Sequence, residues 1–516
     1  MQKDITLRLP PQKAFDSRAL EKALGLSKGD DYVILRRSVD ARRCDIMVDL
    51  VCRINPEAPV AEAIEMKDAD PANGQVIVVG SGPAGLFAAM TLLEHGIRPV
   101  VIERGKDVHS RRVDIARIST QDVVDSNSNY SFGEGGAGTY SDGKLYTRSK
   151  KRGENSKVLG TFVRYGASET ILCDAHPHIG TDKLPKIIEN IRNAIISHGG
   201  EVRFQTKVTD IVIRDGRCTG VKAVELATGE ELSFDGPVIL AIGNAARDTF
   251  RMLKDKDVSM EAKSLAMGVR LEHPQHLIDQ IQYHSPKGRG DYLPAAEYSL
   301  STQVDVQGRR MGVYSFCMCP GGFVVPAASD QNQVVVNGMS PSNRGSRWAN
   351  SGMVVEFPTS ILPDSGCLSM MELQEKLEQR TFIAAGRTQK APAQRLTDFM
   401  AKRESSDTAP SSYAPGLTPS DLDDVLPDFC SDALRSGFSV FSRQANGFMT
   451  SEATLIGTET RTSCPVRIVR DPDSLQSISN PGLYPCGEGA GYAGGIVSAA
   501  VDGMRCAEAV SRIICP

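Results

Sequence analysis

The sequence predicts a mixed α/β and α+β fold: a Rossmann-like domain with a β-meander, an antiparallel-sheet domain inserted into it, and a small N-terminal β-α-β-β module. Three observations predict it. Residues 76–85 read VIVVGSGPAG, an apolar strand pattern that turns through Gly80, Gly82 and Gly85 into an apolar helix pattern. Residues 483–503 read LYPCGEGAGYAGGIVSAAVDG, a short strand that delivers a glycine-rich turn and a second helix. Between them, residues 181–243 hold a helix, a strand, two hairpin signals and a returning strand that ends at Gly243.

Taken in order, residues 1–54 form the module. Ile5, Leu7 and Leu9 alternate, 17–24 suggests a short helix ended by Gly25, 32–35 is extended, and Cys44, Ile46, Val48, Leu50, Cys52 and Ile54 alternate strictly. Arg36, Arg37, Arg42 and Arg43 read as a solvated strand end rather than an anion or RNA patch, because no aromatic residues interleave with them. Residues 55–74 mix Pro, Ala and acidic side chains as a linker does, with 61–67 as a candidate helical turn.

Residues 75–261 are expected to form the first part of the Rossmann-like domain. In its turn Gly80 permits the tight bend, Gly82 lets a pyrophosphate approach the backbone, and Gly85 lets helix and strand pack closely; Ser81, Pro83 and Ala84 complete the loop. Amides at the helix N-terminus then hold phosphates. A second apolar run, 99–102, leads to Glu103 and Arg104. A carboxylate about 20 residues past the fingerprint accepts hydrogen bonds from both adenosine ribose hydroxyls, so Glu103 predicts an unphosphorylated ribose. Residues 132–145 read FGEGGAGTYSDGKL, and glycines at this density imply close backbone approach to a ligand. That places Gly135, Gly136, Ala137, Gly138, Lys144 and Leu145 beside the pyrophosphate or ring of a bound dinucleotide. Thr181 or Asp182 is expected to cap a helix that buries Leu184, Ile187, Ile188, Ile191 and Ile195 and stops at Gly199. A strand at 202–208, hairpin turns at Asp215-Gly216 and Thr228-Gly229, and a strand at 238–242 follow. In domains with this element order Val208 lies beside an adenine, and Ala241, Ile242 and Gly243 return the chain to the cofactor.

The block at 483–503 selects FAD among dinucleotides. FAD is long and needs a second contact, which Gly487 and Glu488 offer to its ribityl chain. A helix opened by Gly494, Gly495 and Ile496 stabilises negative charge on the reduced ring. Too few residues remain after this block to complete another nucleotide fold. Only one GxGxxG follows a strand and no CxxxxC trails it, so any NADH or NADPH is expected to visit transiently rather than occupy its own domain.

Residues 262–451 lack a nucleotide fingerprint and are expected to be the substrate domain, with residues 452–516 returning to the FAD domain. Segments 311–317, 322–325 and 334–337 are β-like. Insertion of such a domain makes the active site an inter-domain cleft. Cys317 and Cys319, in CMCPGG, are read as pointing to opposite faces of a strand, which suits neither a relaxed intra-strand disulfide nor a closed metal site without other ligands and leaves two readings open: buried structural thiols, or a redox or substrate-contacting cysteine. The pairs His176/His178 and His273/His276 lack acidic or thiol partners at ligand spacing, and no metal site is assigned.

Composition agrees with a soluble enzyme. The chain has 516 residues, enough for two or three domains, and 59 basic against 63 acidic residues give a net charge of −4, with no strong pull toward nucleic acid. Its 12 cysteines are scattered, as reduced thiols are. The start is charged and no apolar run is long enough to span a bilayer, so the expected location is the cytoplasm, with no membrane partner.

The chain resembles a bacterial family of uncharacterised FAD-dependent dehydrogenases, over nearly its whole length. The blocks that carry the resemblance are FGEGGAGTYSDGKL from Phe132, MGVRLEHPQ from Met267, YSFCMCPGG from Tyr314, VNGMS from Val336, APAQRLTDF from Ala391, ETRTSCPVRI from Glu459 and CGEGAGYAGGIVSAA from Cys486. The resemblance implies FAD held by Gly80, Gly82, Gly85, Glu103, the 135–138 loop, Val208, Gly243 and Gly487-Glu488. It also implies that Cys317, Cys319, Arg395 and Arg461 are cleft residues. Cys464 stands where the family pattern has serine. The function expected is an FAD-dependent oxidoreductase, a dehydrogenase or reductase, that moves a hydride through flavin N5 to or from a small anionic substrate. A flavin-dependent RNA-modifying enzyme and a non-catalytic FAD-binding regulatory protein are the alternatives. Neither the substrate nor the oligomeric state is legible.

Overall fold

A computed structural model describes residues 2–57, 60–146, 155–363 and 365–515; residues 58 and 59 of the expected linker lie outside the described residues. The fold class is the one the sequence predicts. Five parallel strands form the central sheet, in the order Leu483–Pro485, Val238–Leu240, Gln75–Val79, Arg98–Ile102 and Glu201–Arg203. Strands of a covered parallel sheet are apolar on both faces, and Val76, Ile77, Val78 and Val79 are all buried. The Pro83–Glu94 helix is buried nearly all round because the Ile496–Ile514 helix lies across it. Gly503 makes that crossing possible: a Cβ there would overlap the Ala84 carbonyl.

The β-meander is a separate antiparallel sheet of Thr206–Arg214, Arg217–Glu225 and Glu231–Asp235. Its first hairpin turns on Asp215 and Gly216, both with φ > 0 (50° and 73°), as a tight turn of primed type requires. The Leu184–Ser197 helix buries Leu184, Ile187, Ile188, Ile191 and Ile195 as its periodicity demands, but neither Thr181 nor Asp182 caps it. The helix starts from Lys183, and the Asp182 carboxylate instead accepts the Ser342 amide (2.6 Å) and hydroxyl (2.7 Å). A tertiary contact to the inserted domain replaces the local cap.

The inserted domain is built on a seven-stranded sheet in the order Ser301–Val306, Arg309–Cys319, Trp348–Phe357, Leu265–Pro274, Thr454–Glu459, Ala391–Arg395 and Leu417–Pro419. All its pairings are antiparallel except the last, Ala391–Arg395 with Leu417–Pro419. Thr454–Glu459 lies inside this sheet, so a break after residue 451 would remove one of its interior strands. The Asp428–Gln444 helix covers one face, packing Leu434, Phe438 and Phe441 against Met267, Val313 and Val355 in a shared core.

The N-terminal module has a strand, two short helices and two strands, with sheet order Lys3–Leu9, Met47–Ile54, Tyr32–Asp40. Residues 61–67 are not helical; Ile64 is buried and its amide donates to Thr161. Of Arg36, Arg37, Arg42 and Arg43, Arg37 pairs with Asp174 at 2.7 Å and Arg42 with Asp40 at 2.8 Å. Among the described residues, no helix is long and apolar enough to cross a membrane.

Candidate functional site

A cleft of about 410 Å³ runs between the five-stranded sheet and the inserted domain. The glycine turn forms one wall. Gly80 has φ +100°, and a Cβ there would collide with the Ala241 carbonyl. Gly82 precedes the Pro83–Glu94 helix with Pro83 at its first position, which leaves the first amides unpaired and facing the cleft. The second glycine loop packs on the first: the Gly135 amide donates to the Ser81 carbonyl at 2.9 Å, and a Cβ on Gly136 would lie 3.1 Å from the Gly82 Cα.

Glu103 holds these loops together. Its Oε2 accepts the Ser81 amide (2.9 Å) and hydroxyl (2.8 Å), and its Oε1 accepts the amides of Gly105 (2.9 Å) and Gly133 (3.0 Å). These four bonds occupy the usual acceptor directions of a carboxylate. Glu103 does line the cleft, but in this arrangement its carboxylate organises the cradle, and a ribose hydroxyl would share an oxygen already engaged.

Behind the second loop, Arg111 is fully buried and donates only to carbonyls: Asn129 (2.7 Å), Tyr130 (2.8 Å), Glu134 (2.9 Å) and Gly136 (3.0 Å). Burial brings its guanidinium down to about 10. Nothing in the sequence around Arg111 distinguishes it from a surface arginine on a helix. Arg104, in the cleft wall, pairs with Asp248 (2.9 Å) and lies 4.2 Å over the Phe132 ring.

The far end of the cleft comes from residues 486–496. Asn244 donates to Glu488 Oε1 at 2.7 Å, and burial pushes the Glu488 carboxyl up to about 7 despite that bond. The Gly487 amide is held from behind by Asp502 (2.8 Å), which Arg470 clamps at 2.6 Å and 3.0 Å. Cys486, Asp502 and Cys506 converge as metal ligands would, but the Arg470 guanidinium sits among them, donating to Asp502 and to Cys506 Sγ at 3.4 Å. Gly494 and Gly495 border open space where a Cβ would meet nothing within 4 Å, and with Ile496 they line the cleft at the start of the last helix.

The inserted domain supplies the opposite wall through Phe316, Cys317, Val325, Ala327, Asn337, Gly338, Arg461 and Thr462. Arg461 donates to both oxygens of Glu378 (3.1 Å each), and Arg247 reaches the same carboxylate at 2.8 Å. Against the cost of burial, these two cations hold Glu378 down to about 2. Two positive charges on one carboxylate leave this end of the wall net positive.

Cys317 and Cys319 do not point apart. Alternate residues of a strand share a face, and a bulge between Phe316 and Cys319, with Cys317 at φ +45°, adds to the turn. The Cys319 thiol donates to the Cys317 carbonyl (Sγ to O 3.4 Å), and Cys319 is fully buried behind the wall. Fully buried Arg270 donates to the Cys317 carbonyl (2.6 Å) and reaches Cys319 Sγ at 3.7 Å, and Lys144 donates to the Met318 carbonyl. The Cys319 hydrogen bond and the charges of Lys144 and Arg270, against the opposing cost of burial, hold the Cys317 thiol below the ordinary thiol range; Cys319 is pushed above it. Arg270 also pairs with Glu459 at 2.7 Å, whose carboxyl burial raises to about 7.

Of the residues named from sequence, Gly80, Gly82, Pro83, Ala84, Glu103, Arg104, Gly136, Ala137, Gly138, Lys144, Val208, Ala241, Ile242, Gly243, Glu488, Gly494, Gly495, Ile496, Cys317 and Arg461 line the cleft. Ser81, Gly85, Gly135, Leu145, Gly487 and Cys319 lie immediately behind it. Arg395 is elsewhere. It ends a strand near the far edge of the seven-stranded sheet, donating to Asp407 (2.8 Å) and the Ser451 carbonyl (2.6 Å), so its place in a family block does not make it a cleft residue. Among the histidines, His178 contacts the Ser342 carbonyl, His176 contacts Glu297, and His273 contacts the Phe448 carbonyl, with burial pulling its ring down to about 4.

Three family models match the chain: FAD-dependent protein, C-terminal domain-like, over residues 264–462; FAD binding domain, over 73–125; and a domain of unknown function, over 1–55. An uncharacterized protein of Clostridium beijerinckii is 40% identical over 530 residues, covering 98% of this chain and 97% of its own. Similar solved structures include a geranylgeranyl bacteriochlorophyll reductase-like protein from Thermoplasma acidophilum, 14% identical with a TM-score of 0.34 over 85% of this chain and 78% of that one. A flavocytochrome c3 fumarate reductase in its open conformation is 12% identical with a TM-score of 0.35, over 86% and 78%. At these scores neither carries an argument about activity.

Proposed function

Since the chain belongs to a bacterial family of uncharacterised FAD-dependent proteins and FAD is its cofactor, we propose that it is an oxidoreductase that passes a hydride through the flavin to or from a small anionic substrate in the inter-domain cleft. The observation that carries this reading is the shape of the cleft. One wall is bare backbone from two interlocked glycine turns and a helix N-terminus, which suits a pyrophosphate; the other holds ionisable side chains.

Gly80, Gly82 and the 136–138 loop would hold the pyrophosphate, Val208 and Ala241 the adenosine half, and Glu488 with Asn244 the ribityl half. Bound there, FAD supplies two-electron transfer at N5. The rest is done by this chain's own groups. The N-terminal turn of the Ile496–Ile514 helix brings a positive dipole end to the cleft and favours negative charge developing there. Glu488, raised to about 7, exchanges its proton near neutrality at the same end. Arg461, only half neutralised by the carboxylate it shares with Arg247, supports an anionic substrate. NADH or NADPH would enter transiently as donor. Anaerobic bleaching of the flavin by nicotinamide deuterated at C4 tests the step: a primary isotope effect on the bleaching rate is expected, and bleaching that is fast with no isotope effect on any phase counts against hydride transfer.

A further inference from the structure

Two thiols, two cations and one backbone bulge come together where the inserted sheet meets the cleft. Cys317 and Cys319 flank Met318 at the bulge, with Cys317 in the cleft wall, Cys319 fully buried behind it and the Cys319 Sγ 3.4 Å from the Cys317 carbonyl. Lys144 and Arg270 fasten the carbonyls of Met318 and Cys317, so the bulge is held from both sides by positive charge rather than by neutral donors. Cys430 and Cys464, also fully buried, donate to the Met267 and Gly489 carbonyls, and burial pushes both thiols up.

We propose that Cys317 and Cys319 are a redox-active dithiol, and that the substrate class entering the cleft is a small-molecule disulfide or its dithiol. This rests on the reading of the cleft as the site of electron transfer and names its substrate. In the oxidising direction the Cys317 thiolate attacks one sulfur of the small disulfide; a Cys317–substrate bond forms, the substrate S–S bond breaks, and one substrate thiolate leaves. Cys319 then gives up its proton and attacks Cys317 Sγ, closing the Cys317–Cys319 bond and expelling the second substrate sulfur as a thiolate, which takes up that proton. The protein dithiol is oxidised by two electrons and the small disulfide is reduced by two. In the reverse direction a substrate dithiol opens the protein disulfide through the same mixed disulfide and leaves as the small disulfide, oxidised by two electrons; FAD held in the cleft would restore the pair, as two-electron donor in the first case and two-electron acceptor in the second.

Cys317 and Cys319 are the only cysteines between Arg310 and Arg344, so trypsin releases them together in the 311–344 peptide. The FAD-loaded protein is reduced with dithiothreitol, exposed anaerobically to oxidised glutathione, quenched, unfolded and alkylated. The 311–344 peptide is expected to carry two alkyl groups when reduced, none after oxidised glutathione, and two again after dithiothreitol. Cys319→Ser is expected to stop at a glutathione adduct on Cys317. A wild-type peptide that keeps both alkyl groups after oxidised glutathione overturns the proposal. The readout is peptide mass, so a failure of the flavin reading registers separately, as a spectrum without reducible flavin while the peptide still cycles.

Discussion

Asp502 and Gly487 are joined across the C-terminal strand, turn and helix: Asp502 Oδ2 accepts the Gly487 amide at 2.8 Å while Arg470 closes on both carboxylate oxygens. The turn that carries Glu488 to the cleft is therefore fixed from beneath by an ion pair that is itself buried. Breaking a buried pair by removing one partner costs about 3–5 kcal/mol, because the surviving charge is stranded. Asp502→Ala should lose about that much in denaturant unfolding and retain little flavin. Asp502→Asn also strands the Arg470 charge but keeps an acceptor for the Gly487 amide, so it should lose less than Asp502→Ala and retain more flavin.

The glycines divide into those the fold needs and those the ligand needs. Gly80 has φ +100° and no room for a Cβ beside the Ala241 carbonyl, so Gly80→Ala should destabilise the protein by more than about 1 kcal/mol and abolish flavin binding. Gly495 is extended and borders open cleft, so Gly495→Ala should leave the unfolding midpoint of the flavin-free protein unchanged and lower the ratio of flavin to protein absorbance. Equal flavin content in Gly495→Ala and wild type would move the cofactor away from that end.

Glu488 sets a pH dependence. Its carboxyl is raised from 4.5 to about 7 by burial, so the folded state holds a proton that the unfolded chain releases. That contribution is complete below the unfolded value and disappears as the pH rises through about 7. The melting temperature of the flavin-free wild type should therefore fall more steeply than that of Glu488→Gln between about pH 5 and pH 8. Parallel curves would show that Glu488 is ionised throughout.

Arg461 and Arg395 should separate cleanly. Arg395→Ala breaks a pair with a largely exposed Asp407 and should cost no more than about 1 kcal/mol, leaving flavin content and kinetics unchanged. Arg461→Ala leaves Glu378 its bond to Arg247 but removes a cation from the wall. It should raise KM for an anionic substrate by roughly tenfold, the worth of one charge-assisted hydrogen bond. Identical kinetics in the two variants would remove Arg461 from the substrate site.

What could be read from the sequence was local. The glycine turn, the buried strand before it, the hairpins at Asp215-Gly216 and Thr228-Gly229, and the terminal strand-turn-helix each declare themselves within about 20 residues, because backbone geometry leaves few residue types for those positions. The charged groups beneath the site did not. Glu378 meets Arg247 and Arg461, Asp502 meets Arg470, and Arg270 meets Glu459, each across a long stretch of chain that only the fold closes. Arg395 shows the reverse error: a motif-like neighbourhood says nothing about the side of the sheet on which a residue ends. Asp182 shows why caps mislead, since a side chain that suits a helix end suits a loop amide equally well.

The cleft is expected to hold a reducible FAD. The measurement that tests it most directly is the visible spectrum of freshly purified protein, followed anaerobically as NADH and then NADPH are added. Flavin bands near roughly 375 and 450 nm that bleach with one of the two donors are predicted. A colourless protein that FAD cannot reconstitute, or bands that neither nicotinamide nor dithionite bleaches, would contradict it.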